Sequence, residues 1–164
     1  MNRESQIVEV IEKNPGIKFR EIMRETGMKN GVLSYHARKL EKNGIVKIER
    51  SSRQTRFYPL GLSNEESVLI RNLRQETPRQ ILLSLLETEL TFNTIVEKVK
   101  KSPSTVSIYL NQLLDDNLVE SKIIELKKVF HIKDREIVQI TINKYHPTLI
   151  EKSADRLADI FNSL

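Results

Sequence analysis

Apolar positions recur along this chain first at helical and then at strand spacing, in an order that occurs twice. Ile7, Val8, Val10 and Ile11 stripe a first helix, with Ser5 as its expected N-cap and Asn14-Pro15-Gly16 as its stop. Phe19, Ile22 and Met23 stripe a second helix ended by Gly27. Asn30 is the expected cap of a third, which runs to about Asn43 before Gly44 ends it. The period then shortens to that of a strand: Val46 and Ile48 alternate with Lys47 and Glu49. Ser51 to Gln54 turn the chain, and Arg56 to Tyr58 return as a second strand closed by Pro59. The predicted unit is a helix-turn-helix followed by a basic two-stranded ribbon.

Ser63-Asn64-Glu65-Glu66 reads as the cap and acidic first turn of a linking helix to about Gln75, and Thr77-Pro78 as the start of the next. The pattern then repeats. Ile81, Leu82, Leu85 and Leu86 stripe one helix, and Phe92, Ile95, Val96 and Val99 another. Ser102-Pro103 opens a third, while Val119 to Ile124 and Lys128 to Ile132 form a second hairpin. Residues 137–142 suit a strand by composition and a helix by the Asp134 cap and the Ile137 to Ile140 spacing; both readings stand, leaning to helix.

The repetition has a fixed length. Phe19, Leu33, Ser34, Leu40, Val46 and Phe57 each lie 73 residues before Phe92, Val106, Ser107, Leu113, Val119 and Phe130. That is too long for a solenoid unit and suits a small domain used twice. Ile7 reaches Ile81 at an offset of 74, the extra residue falling in the Asn14-Pro15-Gly16 turn. Copies of about 60 residues are near the lower limit for an independent core, so the linking and terminal helices are expected to support them.

Charge separates the copies. Residues 1–62 hold 13 Lys and Arg against 7 Asp and Glu, a balance of +6, whereas residues 63–164 hold 14 against 15, a balance of −1. The first copy is therefore the one suited to a polyanion. The chain has no cysteine, and its three histidines, His36, His131 and His146, are scattered. Thiolate chemistry is excluded; no metal or cofactor is expected. His36 is read as a packed or capped histidine rather than a proton switch. With neither a glycine-rich phosphate loop nor a nucleophile-and-base pattern, the chain is not expected to be an enzyme. No run is apolar for the roughly 20 residues of a membrane span, and the start lacks the apolar stretch of a signal peptide. A cytoplasmic protein is expected.

In the first copy's third helix, Leu33, His36, Ala37 and Leu40 share the inward face. Lys29, Asn30, Ser34, Tyr35, Arg38, Lys39 and Lys42 are then the candidates for DNA contact, joined by Arg50, Arg53 and Arg56 of the ribbon. Arg and Lys grip phosphates or read guanine, Asn reads adenine, and a basic ribbon neutralises backbone charge. In the second copy the counterparts of Tyr35, Arg38, Lys39 and Lys42 are Ile108, Asn111, Gln112 and Asp115. The balance over residues 30–43 is +2 and over 103–116 it is −2. Lys101, Ser104, Thr105, Asn111 and Gln112 remain as second-copy candidates for DNA contact, against a scaffold or protein-docking role for that half.

The run Phe19-Arg20-Glu21-Ile22-Met23 through Gly31-Val32-Leu33-Ser34-Tyr35-His36, then Leu40-Glu41-Lys42-Asn43-Gly44-Ile45-Val46, resembles winged helix-turn-helix transcription regulators of the ArsR and MarR type. Ser104-Thr105-Val106-Ser107-Ile108-Tyr109-Leu110, with Leu113 and Leu118-Val119, resembles the same signature. The whole is similar to tandem winged-helix regulators common in archaea, without the cysteines of metal-sensing members. The resemblance implies a mainly α fold with small β-hairpin wings. Its expected parts are a winged domain over 1–62, a linking helix over 63–77, a second winged domain over 78–133 and a helical tail over 134–164. It implies a sequence-specific regulator that binds double-stranded DNA; the alternative is an adaptor docking a polymerase, condensin-like or signalling protein. Leu149, Ile150, Leu157, Ile160, Phe161 and Leu164 stripe one side of the tail and are expected to pair two copies as a homodimer rather than pack on their own domain. A small-molecule effector stays unassigned.

Overall fold

The computed structural model describes residues 2–149. They divide between Ser67 and Val68 into two compact units. The first unit contains α1 (Arg3–Lys13), β1 (Ile17–Lys18), α2 (Phe19–Thr26), α3 (Asn30–Lys42), β2 (Val46–Arg50) and β3 (Thr55–Pro59). The division falls within α4 (Asn64–Leu73). The second unit continues with α5 (Glu76–Glu87), β4 (Leu90–Thr91), α6 (Phe92–Val99), α7 (Pro103–Asp115), β5 (Val119–Ile124), β6 (Lys127–Ile132) and α8 (Arg135–Leu149).

The 73-residue offset carries β1 onto β4, α2 onto α6 and α3 onto α7 end to end. It also carries one core onto the other. Ile17, Ile22, Leu33, Ala37, Leu40, Val46 and Phe57 are buried, and so are Leu90, Ile95, Val106, Leu110, Leu113, Val119 and Phe130. Fully burying a side chain of this size contributes roughly 1.5–3 kcal/mol, so the matched positions account for much of what holds each unit together. Even the left-handed positions agree. Gly27 ends α2 at φ 73° and Gly44 stands at φ 71°, while Lys100 and Asn117 take the same places at 55° and 58°. The second copy accepts a strained lysine where the first has glycine.

Several boundaries differ from the sequence reading. Asn2, not Ser5, caps α1: its side-chain oxygen accepts from the Ser5 amide at 2.7 Å. Lys29 occupies the cap position of α3, and Asn30 is the first helical residue, accepting from the Ser34 hydroxyl at 3.2 Å. α5 begins at Glu76, which places Thr77 and Pro78, both buried, inside its first turn. Residues 137–142 are helical: Asp134 accepts from the Ile137 amide, and Arg135 fastens α8 to the carbonyls of Leu85 and Leu86. Ser63 and Glu66 close a reciprocal capping box at α4, as expected.

Each ribbon is part of a three-stranded sheet, ordered β1-β3-β2 and β4-β6-β5. The short first strands escape detection because two residues carry no period. Their effect is large, since β3 becomes a central strand with Lys18 and Glu49 both opposite Arg56. Among the described residues, no helix is long and apolar enough to cross a membrane.

Candidate nucleic-acid interface

α3 is held by Leu33, Ala37 and Leu40, all buried, with Val32 packed at the margin of the same core. The opposite side is therefore turned outward by the helical period. Gly31, Ser34, Tyr35, Arg38, Lys39 and Lys42 line one shallow depression on it. Tyr35 is 64% exposed and sets its ring edge-on to His36, with centroids 5.1 Å apart. Gly31 has a free choice of side chain, because a Cβ there would meet nothing within 4 Å. A helical glycine with no packing reason leaves the backbone open to close approach by a ligand.

The basic residues fall into three groups. Lys29, Arg38, Lys42 and Arg53 are exposed and hold no ion pair or side-chain hydrogen bond among the described residues. Lys39 and Arg50 are exposed but paired. Lys39 lies 3.3 Å from Glu4, whose carboxylate also meets His36 Nδ1 at 3.3 Å. Arg50 donates twice to Glu41, at 2.8 and 2.9 Å. That fork holds the Glu41 carboxyl below its ordinary range and Arg50 above its own. Hydrogen bonding from His36, with Lys39 contributing, likewise lowers Glu4.

Arg56 forms the third group and corrects the sequence reading. It is 2% exposed and donates to the Gly16 carbonyl at 2.9 Å. A guanidinium so enclosed reaches no phosphate. A two-stranded ribbon would have left β3 at an edge; β1 pairs on its far side, and the Gly16 carbonyl that takes the guanidinium immediately precedes β1. The signal was present, because the residue 73 positions later is Val129, and an apolar counterpart marks an inward position. Arg53 lies in the β2–β3 turn, which Ser51 ties to the Gln54 carbonyl through both its amide and its hydroxyl at 2.9 Å.

In the second unit the predicted residues separate. Ser104 and Asn111 are exposed. Thr105 is half-buried in the helix cap, where its hydroxyl oxygen accepts from Ser102 at 2.9 Å, and Lys101 lies 3.7 Å from Glu76. Gln112 is half-buried and corrects the expectation of a base-reading residue. Its amide donates to Asn72 at 2.8 Å and Gln75 at 3.5 Å, while Asp116 accepts from Asn72 at 2.8 Å and Arg71 at 3.1 Å. This polar network binds α7 to the chain before α5. It was invisible in the sequence because the partners lie about 40 residues away.

Of the tail stripe, Leu149 is 2% exposed within the chain and has no free face for a second copy. Ile150, Leu157, Ile160, Phe161 and Leu164 lie outside the described residues.

Comparison with known proteins agrees with this architecture. Residues 1–70 match a family of N-terminal HTH domains, and residues 75–121 match the bacterial regulatory protein arsR family. An uncharacterised HTH-type transcriptional regulator of Methanocaldococcus jannaschii is 26% identical over 141 residues, which are 86% of this chain and 34% of that protein. The chain thus spans about a third of that relative's length. Among solved structures, HlyU from Vibrio cholerae is 23% identical over 50% of this chain and 89% of its own, with a TM-score of 0.44. The transcriptional repressor BigR from Xylella fastidiosa is 18% identical over 51% and 85%, with a TM-score of 0.45. With two helix-turn-helix units built on one plan and a separate family match for each, the chain is a tandem winged helix-turn-helix protein.

Proposed function

We propose that this chain regulates transcription by sequence-specific binding of double-stranded DNA, with its main contacts from α3 and the β2–β3 wing. One observation carries the reading: Lys29, Arg38, Lys42 and Arg53 are exposed cations on those two elements that the fold itself does not use. A helix laid in the major groove brings Arg38 to base edges, where a guanidinium meets guanine N7 and O6 with two donors. Lys29, Lys42 and Arg53 are suited to phosphates, which position the protein without reading sequence. Pairing of two copies belongs to the same reading and is motivated by the apolar stripe of the tail. A pair would present α3 twice, to half-sites about one helical turn (roughly 34 Å) or a multiple apart. Solution mass tests that part.

The reading is tested by measuring duplex affinity of the full chain against salt concentration. Arg53→Ala should weaken binding on every sequence and reduce the salt slope by about 1, whereas Arg38→Ala should cost about 1–3 kcal/mol on the preferred site and relax base choice there. Duplex binding that is absent at low ionic strength, or unchanged by salt, overturns it.

A further inference from the structure

The second unit presents a reading face of different chemistry. Ser104, Ser107, Ile108 and Asn111 stand at i, i+3, i+4 and i+7 of α7 and so share one side of the helix. All are exposed, Ile108 to 65%. At the 73-residue offset they replace Gly31, Ser34, Tyr35 and Arg38, the middle of the face described for α3. Internal packing does not explain Ile108 or Asn111. Val106, Leu110 and Leu113 bury the other side of the helix, and Gln112 and Asp116 tie it to Asn72 and Arg71.

These four positions carry no charge, although the acidic Asp115 follows one turn later in the place of Lys42, and this decides what they fit. In the major groove a G·C pair offers two acceptors on guanine, best met by the paired donors of a cation. An A·T pair offers an acceptor and a donor on adenine, which a carboxamide meets with its two ends, and on thymine an exposed methyl group. That methyl is the apolar group a branched aliphatic side chain would cover. We infer that α7 is an A·T-selective reading helix, with Ile108 packed on a thymine methyl and Asn111 paired with adenine. Its selectivity is then distinct from the guanine-directed Arg38 of α3. Lys100 is exposed at the end of α6 and has no ion pair among the described residues, so it is placed to hold a neighbouring phosphate.

This inference rests on the duplex-reading function proposed above, and the two fail differently. Duplexes that bind the full chain best are selected from a random pool, then rebuilt with uracil in place of thymine, which removes only the methyl groups. Uracil should weaken the unaltered protein by about 4-fold for each covered methyl, the equivalent of roughly 0.8 kcal/mol. Ile108→Ala should lose a similar factor on the thymine duplex and be insensitive to the exchange, while Ile108→Val keeps the response. Asn111→Ala should flatten the A·T preference in a repeated selection. If salt-dependent binding persists but the unaltered protein and Ile108→Ala respond alike to uracil, α7 does not read thymine and only this inference falls. If the selected sites lack any A·T element, it falls equally. Absence of salt-dependent duplex binding removes the proposed function and this inference with it.

Discussion

α3 and α7 are the same helix built twice and given different surfaces. Each has 13 residues, each buries three side chains at matched positions, and each is followed by a strand whose first valine is buried. Their exposed sides share little beyond Ser34 and Ser107. Arg38 and Lys42 on one correspond to Asn111 and Asp115 on the other. The buried positions determine where each helix is placed, and the exposed ones determine what it would meet in the duplex-reading function proposed above. A duplicated domain can therefore keep its scaffold while changing its ligand preference.

The comparison is broken most directly by exchanging the surface. Arg38→Asn with Lys42→Asp gives α3 the charge of α7, and duplex affinity should fall by about 2–4 kcal/mol through a lost base contact and added phosphate repulsion. Fluorescence anisotropy at fixed salt measures this, and circular dichroism should show an unchanged fold because neither residue is buried. A loss of less than about 3-fold would mean that α3 does not supply the main contacts.

A second exchange concerns the interior. Arg56→Val imports the residue of the second copy, and urea unfolding should show the first domain weakened by about 1–3 kcal/mol, since the Gly16 carbonyl loses its charged donor. The salt slope of the folded variant should not change, in contrast with Arg53→Ala. A change in slope would mean that Arg56 is a phosphate ligand after all.

The smallest effect is on the pair beside the wing. Glu41→Gln releases Arg50, and affinity for any duplex should rise about 1.5- to 5-fold, matching the ~0.2–1 kcal/mol that a solvent-screened pair contributes. The pair also has a pH signature. Glu41 is lowered by its hydrogen bonds from Arg50, so its contribution to stability is complete above the unfolded carboxylate value of about 4.3 and is lost as pH falls through the lowered folded one. Acid titration of unfolding should show this loss in the parent protein and a smaller one in Glu41→Gln.

Much of this architecture was legible in the sequence because it depends on period and punctuation. The stripes of α2 and α3, Gly27 and Gly44 as stops, and the matching 73-residue offset needed no tertiary information. Among the candidate contacts, the exposure of Arg38, Lys42 and Arg53 followed from helix phase and turn chemistry. Arg56 and Gln112 did not follow, because their surroundings are made by distant segments: Ile17–Lys18 converts a ribbon edge into a sheet centre, and Asn72 and Gln75 capture an amide that helix phase leaves half outside. Local pattern identifies a side chain's direction, but its competitors come from elsewhere in the chain.

The clamp at Gly16 has a consequence for the wing. Gly16 gives its amide to the Phe57 carbonyl at 2.7 Å and receives Arg56 on its own carbonyl, so β3 is fastened to the turn after α1 in both directions. A strand secured in this way surrenders its freedom when the domain folds. Little ordering entropy is then left to lose at the strand in the contact proposed for Arg53, for which the ribbon is pre-organised.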